Sequence, residues 1–502
     1  MDARHPKRRP TGLIVAILTL TAAVWPAGPL FGAGGKLRIP VLFQATRNTE
    51  GQVWYPRVKS EQGSSIVFVS DGDVEGPGSA AGHREVYLYD TAARTIHRIT
   101  HTSAGESYQA SRETDDTHSK RPRYVVFVST GDLDVRADNS DGNPEIFLWR
   151  RDTGAIQQIT DTHPPVVNAQ PYASDSGKCI AFRSNADLDN NDGSDSGNPG
   201  AGFRNPDGSD EVFVLDFLDA SLSGTRITQV SNGPSGTTSG NPVIGGFWFT
   251  RQCRSTTYSS NFDQLGNGST GTHLYNYTRN SARTEQISPP GTGANSAAAI
   301  SSASNFARGP FVPFTSDSDP TGNGSVGEVY RFRLFKTEIV EFSWGGGTGV
   351  TRHPAISDGG GYMVAETTAE LVDPGRRVRG DATPPFNTDG NSEIVRLRGN
   401  RRIWPITRSA NCENTDPTVR DNGRSIAFRS TCDLVAGGNP SLIPQVFFYT
   451  EVPVDSPLAT ATGCTTASGC CNEANGCYTP VQGRARRGPR PRKLRPQWNR
   501  GG

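Results

Sequence analysis

Acidic loops set directly ahead of apolar stretches are the parts of this sequence best suited to chemistry. Asn139-Asp141-Gly142-Glu145, Asn205-Asp207-Gly208-Glu211 and Asn387-Asp389-Gly390-Glu393 share one spacing, and the segment DLDNNDGSD (187–195) adds Asp187, Asp189, Asp192 and Asp195. Clustered carboxylate and amide oxygens suit a hard cation, and Ca²⁺ is the ion such loops would take. An EF-hand is excluded, because Asp192 stands where that loop needs its Gly. Asp-Gly also supplies a left-handed turn, so each loop reads equally well as a solvated turn that delivers its Glu to the start of a strand. Both readings stay open at the level of sequence.

Ser-x-x-Asp recurs after apolar runs, at Ser70/Asp73, Ser129/Asp132, Ser184/Asp187, Ser316/Asp319 and Ser430/Asp433, with Thr367/Glu370 as a variant. A feature present in nearly every repeat is expected to be a local turn, with hydroxyl and carboxylate accepting backbone N–H groups. Motifs for catalysis are missing: there is no G-x-S-x-G elbow, no H-E-x-x-H and no phosphate-cradling glycine loop. The eight His are scattered. Loop carboxylates are numerous enough that a pair at glycosidase spacing is conceivable. Two or more carboxylates converging with a His or Arg at a central funnel would mark an enzyme.

The elements that position these loops repeat along the chain. Short apolar runs at Ser65–Val69, Tyr124–Val128, Cys179–Phe182, Gly246–Phe249, Phe311–Phe314, Tyr362–Ala365 and Ser425–Phe428 are rich in Val, Ile and aromatic residues, as in strands covered on both faces (strand b). Ahead of most stands a Pro-containing entry, YPRVKSEQG (55–63), QPYASDSG (170–177), HPAISDGG (353–360) or DPTVRDNG (416–423), read as a short strand a that begins at Pro and ends in a tight turn. Strand c follows each acidic loop (EVYLY, EIFLW, EVFVL, HLYNY, EVYRF, EIVRL, QVFFY), and a polar-alternating strand d follows c (TIHRIT, AIQQIT, TRITQVS, TEQIS, EIVEFS, RRIWPIT). A recurring four-stranded antiparallel sheet is the mark of an all-β β-propeller. Seven b/c pairs predict seven blades. The last lacks its own strand d, so RIPVLFQAT (38–46) is expected to complete it and close the ring. In such a fold the b–c and d–a connections emerge at one end, which becomes the interaction face.

The grammar P-x-x-S-x-x-G-x-x-I-A-F-x-S, then E-[IV]-F, then x-Q-I-T, resembles the TolB-type β-propeller repeat of bacterial exported proteins, over roughly Lys36 to Pro453. The resemblance implies the fold and export, and leaves the activity open, since propellers serve as scaffolds, binders and enzymes.

Composition agrees with this. The chain has 57 Gly and 35 Pro in 502 residues, which suits many short strands joined by turns. Residues 1–35 read as a signal peptide or N-terminal anchor, with Arg4, Lys7, Arg8 and Arg9 ahead of an apolar stretch from Leu13 to Trp25. The expected location is periplasmic, cell-surface or secreted, with membrane attachment only if that segment is uncleaved. The propeller is assigned to 36–453, a Cys-containing tail to 454–482 and a disordered basic tail to 483–502. Disulfides are expected among Cys412, Cys432, Cys464, Cys470, Cys471 and Cys477, while the pairing of Cys179 and Cys253 stays open. The last 20 residues carry eight Lys/Arg and no acid, a charge run that could contact an anionic polymer. Near-absence of aromatic residues there argues against nucleic acid. The expectation is a non-catalytic binding or scaffold module for an envelope or extracellular protein or a glycan, with an extracellular polysaccharide hydrolase or lyase as the alternative.

Overall fold

The computed structural model describes residues 38–453 except 59–63, 81, 112, 115–122, 175–176, 189–204, 219–221, 223–224, 248–250, 298–310, 322–326, 335–337, 344–348, 358, 372–386, 399–402, 421–422 and 436. The signal segment, both tails and Cys464, Cys470, Cys471 and Cys477 lie outside the described residues.

The described chain is all-β, with a single short 3₁₀ turn at Arg279–Ser281. No helix among the described residues is long and apolar enough to cross a membrane. The strands form antiparallel four-stranded units in chain order. Unit 1 holds β2 (Val53–Val58), β3 (Ser65–Ser70), β4 (Glu85–Asp90) and β5 (Thr95–Arg98). Unit 2 holds β6 (Ser107–Tyr108), β7 (Tyr124–Ser129), β8 (Glu145–Arg150) and β9 (Ile156–Gln158). Unit 3 holds β10 (Asn168–Ala173), β11 (Cys179–Ser184), β12 (Glu211–Phe217) and β13 (Thr225–Gln229). Units 4 and 5 share one eight-stranded sheet: β14 (Ser239–Phe247), β15 (Arg251–Ser260), β16 (Thr270–Thr278) and β17 (Arg283–Gln286), then β18 (Thr292–Ala297), β19 (Phe311–Ser316), β20 (Glu328–Arg333) and β21 (Glu338–Glu341). The join is a short parallel pairing at Thr270↔Thr292, Gly271↔Gly293 and Thr272↔Ala294. Unit 6 holds β22 (Thr351–Ile356), β23 (Met363–Thr367), β24 (Glu393–Leu397) and β25 (Ile403–Pro405). In unit 7, β26 (Asn414–Arg420), β27 (Ser425–Ser430) and β28 (Gln445–Pro453) are joined by β1 (Arg38–Gln44), which pairs antiparallel with β28 from Arg38↔Pro453 to Gln44↔Phe447.

This repetition of four-stranded sheets, packed face to face, is a β-propeller. Strands b and c are apolar without alternation because a neighbouring unit covers each face. A stacked aromatic pair bridges b and c at one register position in six units: Phe68–Tyr87, Phe127–Phe147, Phe182–Phe213, Tyr258–Tyr275, Phe314–Tyr330 and Phe428–Phe447, with centroids 5.4–5.9 Å apart. Such a pair adds about 0.5–1.5 kcal/mol beyond area burial. Unit 6 places Ala365 opposite Val395 there instead.

Two expectations need correction. In unit 4 the apolar run Gly246–Phe249 does not form strand b: β14 runs through Phe247, and strand b is the hydroxyl-rich RQCRSTTYSS of β15. Thr256, Thr257 and Tyr258 are buried, so β-branched and aromatic hydroxyl residues fill the core where Val and Ile stand elsewhere. The Pro of the entry motif also does not begin strand a. It lies three residues inside, next to an irregularity described below.

Candidate functional site

Strand c opens on a polar residue that is almost fully buried in six units, Glu85, Glu145, Glu211, Glu328, Glu393 and Gln445, and in unit 4 the same register position, three residues inside β16, holds His273. Burying an ionisable group is costly unless its oxygens are satisfied, and the end of strand d satisfies them. The next residue's backbone N–H donates to the hydroxyl of Thr100, Thr160, Ser231, Ser288, Ser343, Thr407 or Thr46 at 2.8–3.0 Å in every unit. That hydroxyl in turn donates to Glu85, Glu145, Glu211 and Glu328 in units 1, 2, 3 and 5, and to Gln445 at 2.8 Å in unit 7. A backbone N–H two residues beyond it fills the other carboxylate oxygen, from Thr102 (2.7 Å), Thr162 (2.7 Å), Gly233 (2.5 Å) and Ser409 (2.5 Å), and in unit 7 Asn48 N–H (3.3 Å) shares the one amide oxygen of Gln445 with Thr46. The motifs E-[IV]-F and x-Q-I-T are thus two halves of one clamp.

Glu145, Glu211 and Glu393, taken from the sequence as Ca²⁺ ligands, are therefore engaged inside the protein. Their loop companions lie apart from them. Asp141 is partly exposed and pairs with His163 at 3.0 Å, a contact that raises the imidazole pKa. Asp207 is exposed and accepts from Ser209, which lowers its pKa, and Asp389 is exposed. Asp187 accepts from the Asn205 N–H at 3.3 Å. Asp189, Asp192 and Asp195 lie outside the described residues. Among the described residues, one group of three metal-ligand side chains converges, namely Cys179, Asp216 and Cys253. It offers no thiolate, because Cys179 and Cys253 form a disulfide between units 3 and 4, and Arg279 pairs with Asp216. Cys412 and Cys432 form the second disulfide. The Ser-x-x-Asp hydroxyls close the turns after strand b: Ser70, Ser129, Ser184, Ser316 and Ser430 each accept the N–H two residues on.

The structure brings together a different set of residues on strand a. Tyr55, Gln109, Gln170, Asn241, His353 and Asp416 all have φ between 48° and 56°. Five precede Pro, and in those strands the ladder slips at this point, so two residues face one across the pair. A left-handed non-glycine residue costs on the order of 1 kcal/mol or more, and such residues gather at functional sites. Strands a of successive units meet here. Gln170 N–H donates to Gln109 Oε1 at 2.8 Å, and Asn241 N–H donates to Gln170 Oε1 at 2.6 Å. Strands a of units 7 and 1 also meet, where Val58 N–H donates to Thr418 Oγ1 at 3.2 Å.

One cluster on these strands combines charges of both signs. Glu366 on β23 is 1% exposed. Its Oε2 meets His353 Nδ1 at 3.0 Å and accepts the Asp416 N–H at 3.3 Å, and its Oε1 pairs with Arg352 Nε. Burial alone would raise the Glu366 pKa, but the His353 and Arg352 contacts outweigh it and hold the carboxyl below its ordinary value. The same hydrogen bond raises His353, with burial opposing and the Asp416 charge adding to the rise. Both oxygens of Glu366 are occupied, so it is a buried anchor rather than a proton donor. Arg352 and His353 are about half exposed, at 49% and 56%. The sequence signal for this site is the changeable residue (Tyr, Gln, Asn, His, Asp) ahead of a repeated Pro.

No protein-family model matches the chain, and no curated protein matches it. Solved structures do. Oligogalacturonate lyase from Vibrio parahaemolyticus aligns over 86% of this chain and 97% of its own, at 10% identity and a TM-score of 0.47. The β-propeller domain of the Trilobed protease from Pyrococcus furiosus aligns over 82% and 97%, at 8% identity and a TM-score of 0.46. TolB from Acinetobacter baumannii aligns over 80% and 78%, at 10% identity and a TM-score of 0.34. The fold itself is established by the strand pairing above.

Proposed function

We propose that the chain is an exported, closed seven-bladed β-propeller that binds a partner at the end carrying its b–c loops and performs no chemistry of its own. Closure is supported by seven hydrophobic clusters, each shared by two consecutive units. The cluster of Val41, Phe43, Ile66, Phe68, Tyr87 and Phe448 joins the last unit to the first. Two disulfides fit an oxidising compartment outside the cytoplasm.

The observation that carries the binding reading is the clamp. The glutamates at the loop-bearing end are bound internally, so these repeated carboxylates are not available as acid, base or ligand. The test is saturable binding of the labelled full chain to isolated cell envelopes, compared with a variant in which the loop between Ser70 and Glu85 is shortened. Saturable binding that the shortened variant loses, without product formation, is the expected result.

His353, Arg352, Glu366 and Asp416 together favour a second reading, a polysaccharide hydrolase or lyase, because a His oriented by a carboxylate is a general acid–base arrangement. New reducing or unsaturated chain ends from acidic or neutral polysaccharides, abolished in His353→Gln, would establish that reading and overturn the first.

A further inference from the structure

We propose that Arg352 and His353 form an oxyanion-binding site on β22, where unit 6 meets unit 7, with Glu366 as the residue that positions both. This deepens the binding reading of the molecule.

Glu366 takes one nitrogen from each cation, Nε of Arg352 and Nδ1 of His353. That fixes both side chains and leaves the rest of each group outward. The Arg352 Nη groups and His353 Nε2 have no hydrogen-bond partner among the described residues, and both side chains are about half exposed. A guanidinium edge beside a second N–H donor matches two oxygens of a carboxylate or a phosphate. The two cations exceed the charge of Glu366 by one when His353 is protonated, the state its hydrogen bond to Glu366 favours. His353 is held at φ 48° next to Pro354, the bulge that strand a also forms at Tyr55, Gln170, Asn241 and Asp416, so a conformation built into the repeat fixes where its ring projects.

Other charged groups on the packed elements limit the affinity. Asp416 on the adjacent β26 is half-buried and is the competing negative charge, acting on His353. Thr351 and Thr367, flanking the pair, are committed to each other at 3.0 Å. Binding of a free anion should therefore be weak, with a dissociation constant on the order of 1 mM at low salt. A ligand making further contacts would be held more tightly.

The experiment follows the His353 ring nitrogens of the full chain by NMR during titration with sodium acetate, sodium phosphate or sodium chloride at constant low ionic strength. A saturable shift with acetate, phosphate or both, absent with chloride, is expected, and the stronger of the two names the ligand group. Arg352→Gln should weaken binding about tenfold or more. Asp416→Asn should tighten it about threefold, since Asn tolerates the left-handed backbone at that position. Should Arg352→Gln fail to fold, Arg352→Lys replaces it, with weaker binding through loss of the planar fork. A linear response identical in all three salts, or unchanged affinity in the Arg352 variant, would overturn the site. Because the probe is a small anion, that failure leaves the envelope-binding test untouched, and failure of envelope binding does not decide this one.

Discussion

Glu145 and Gln445 occupy the same place in units 2 and 7, at the first position of strand c. Glu145 accepts from Thr160 and Thr162, residues 15 and 17 positions further along the chain. Gln445 accepts from Thr46 and Asn48, which lie 399 and 397 positions earlier. The donors stand in the same places, but Glu145 takes them on two oxygens and Gln445 on its single Oε1. A carboxylate can only accept, so Glu145 gathers hydroxyl and N–H donors. The amide of Gln445 also donates, from Nε2 to the Asn48 carbonyl at 2.8 Å. It therefore grips the segment after β1 in both directions, where no short connection holds the two strands together. The sheet of β1 and β26 to β28 is built like the other units, with a two-way latch in place of a one-way acceptor.

The comparison can be broken most severely by removing one partner. Deleting residues 38–48 strips β28 of its neighbour and exposes the buried Val41, Leu42 and Phe43. Each such side chain contributes about 1.5–3 kcal/mol. The melting temperature should fall by on the order of 10 °C, or cooperative unfolding should disappear, as calorimetry would read.

Gln445→Glu comes next. It sets a buried carboxylate against the Asn48 carbonyl and should cost about 2–4 kcal/mol at neutral pH. The loss should shrink as pH falls, because the protonated acid can donate again. Denaturant unfolding at two pH values measures both.

Glu85→Gln should cost about 1–3 kcal/mol. Here the carboxylate also takes Arg98 at 2.9 Å and His83 at 3.0 Å. Burial pushes the Glu85 pKa up, but the Thr100, Thr102 and Arg98 hydrogen bonds bring it below the ordinary value. Its stabilisation is present above the unfolded-state pKa and is lost as pH falls through the folded one.

The smallest effect is expected for Glu211→Gln, within about 1 kcal/mol of wild type at neutral pH. No cation pairs with Glu211 among the described residues, and burial keeps its pKa raised despite Ser231 and Gly233. Its contribution is full below the unfolded pKa and fades as pH rises through the folded one. An amide removes that dependence, as Gln445 shows an amide fits the clamp. A flat difference between wild type and variant from acid to neutral pH would contradict this reading.

Much of the fold was legible in the sequence because local chemistry and global packing agree. The runs at Tyr124–Val128 and EIFLW announce strands covered on both sides, and RIPVLFQAT carries the ending of a strand d. The exceptions are physical. In unit 4, Gly246–Phe249 is more apolar than RQCRSTTYSS, and hydropathy cannot show that Thr256, Thr257 and Tyr258 are buried in the packed sheet. The entry Pro looked like a strand start because a bulge around a left-handed residue has no signature of its own. For the site, sequence pointed at Asp141, Asp207 and Asp389, whose spacing is local. It missed the cluster of His353, Arg352, Glu366 and Asp416 because Arg352 and Glu366 face each other only through the register of β22 and β23, and Asp416 joins them only when unit 7 packs on unit 6. The link from each Glu to its Thr or Ser was hidden because it depends on how strand d folds back on strand c, which spacing alone does not show.

Closure of the ring by β1 is tested most directly by native-state hydrogen exchange, read by mass spectrometry on the peptide spanning residues 38–48. Its amides should exchange only with global unfolding, at the protection of residues 445–453. Exchange of Leu42 and Phe43 at the rate of an unstructured chain, while residues 445–453 stay protected, would contradict the closure.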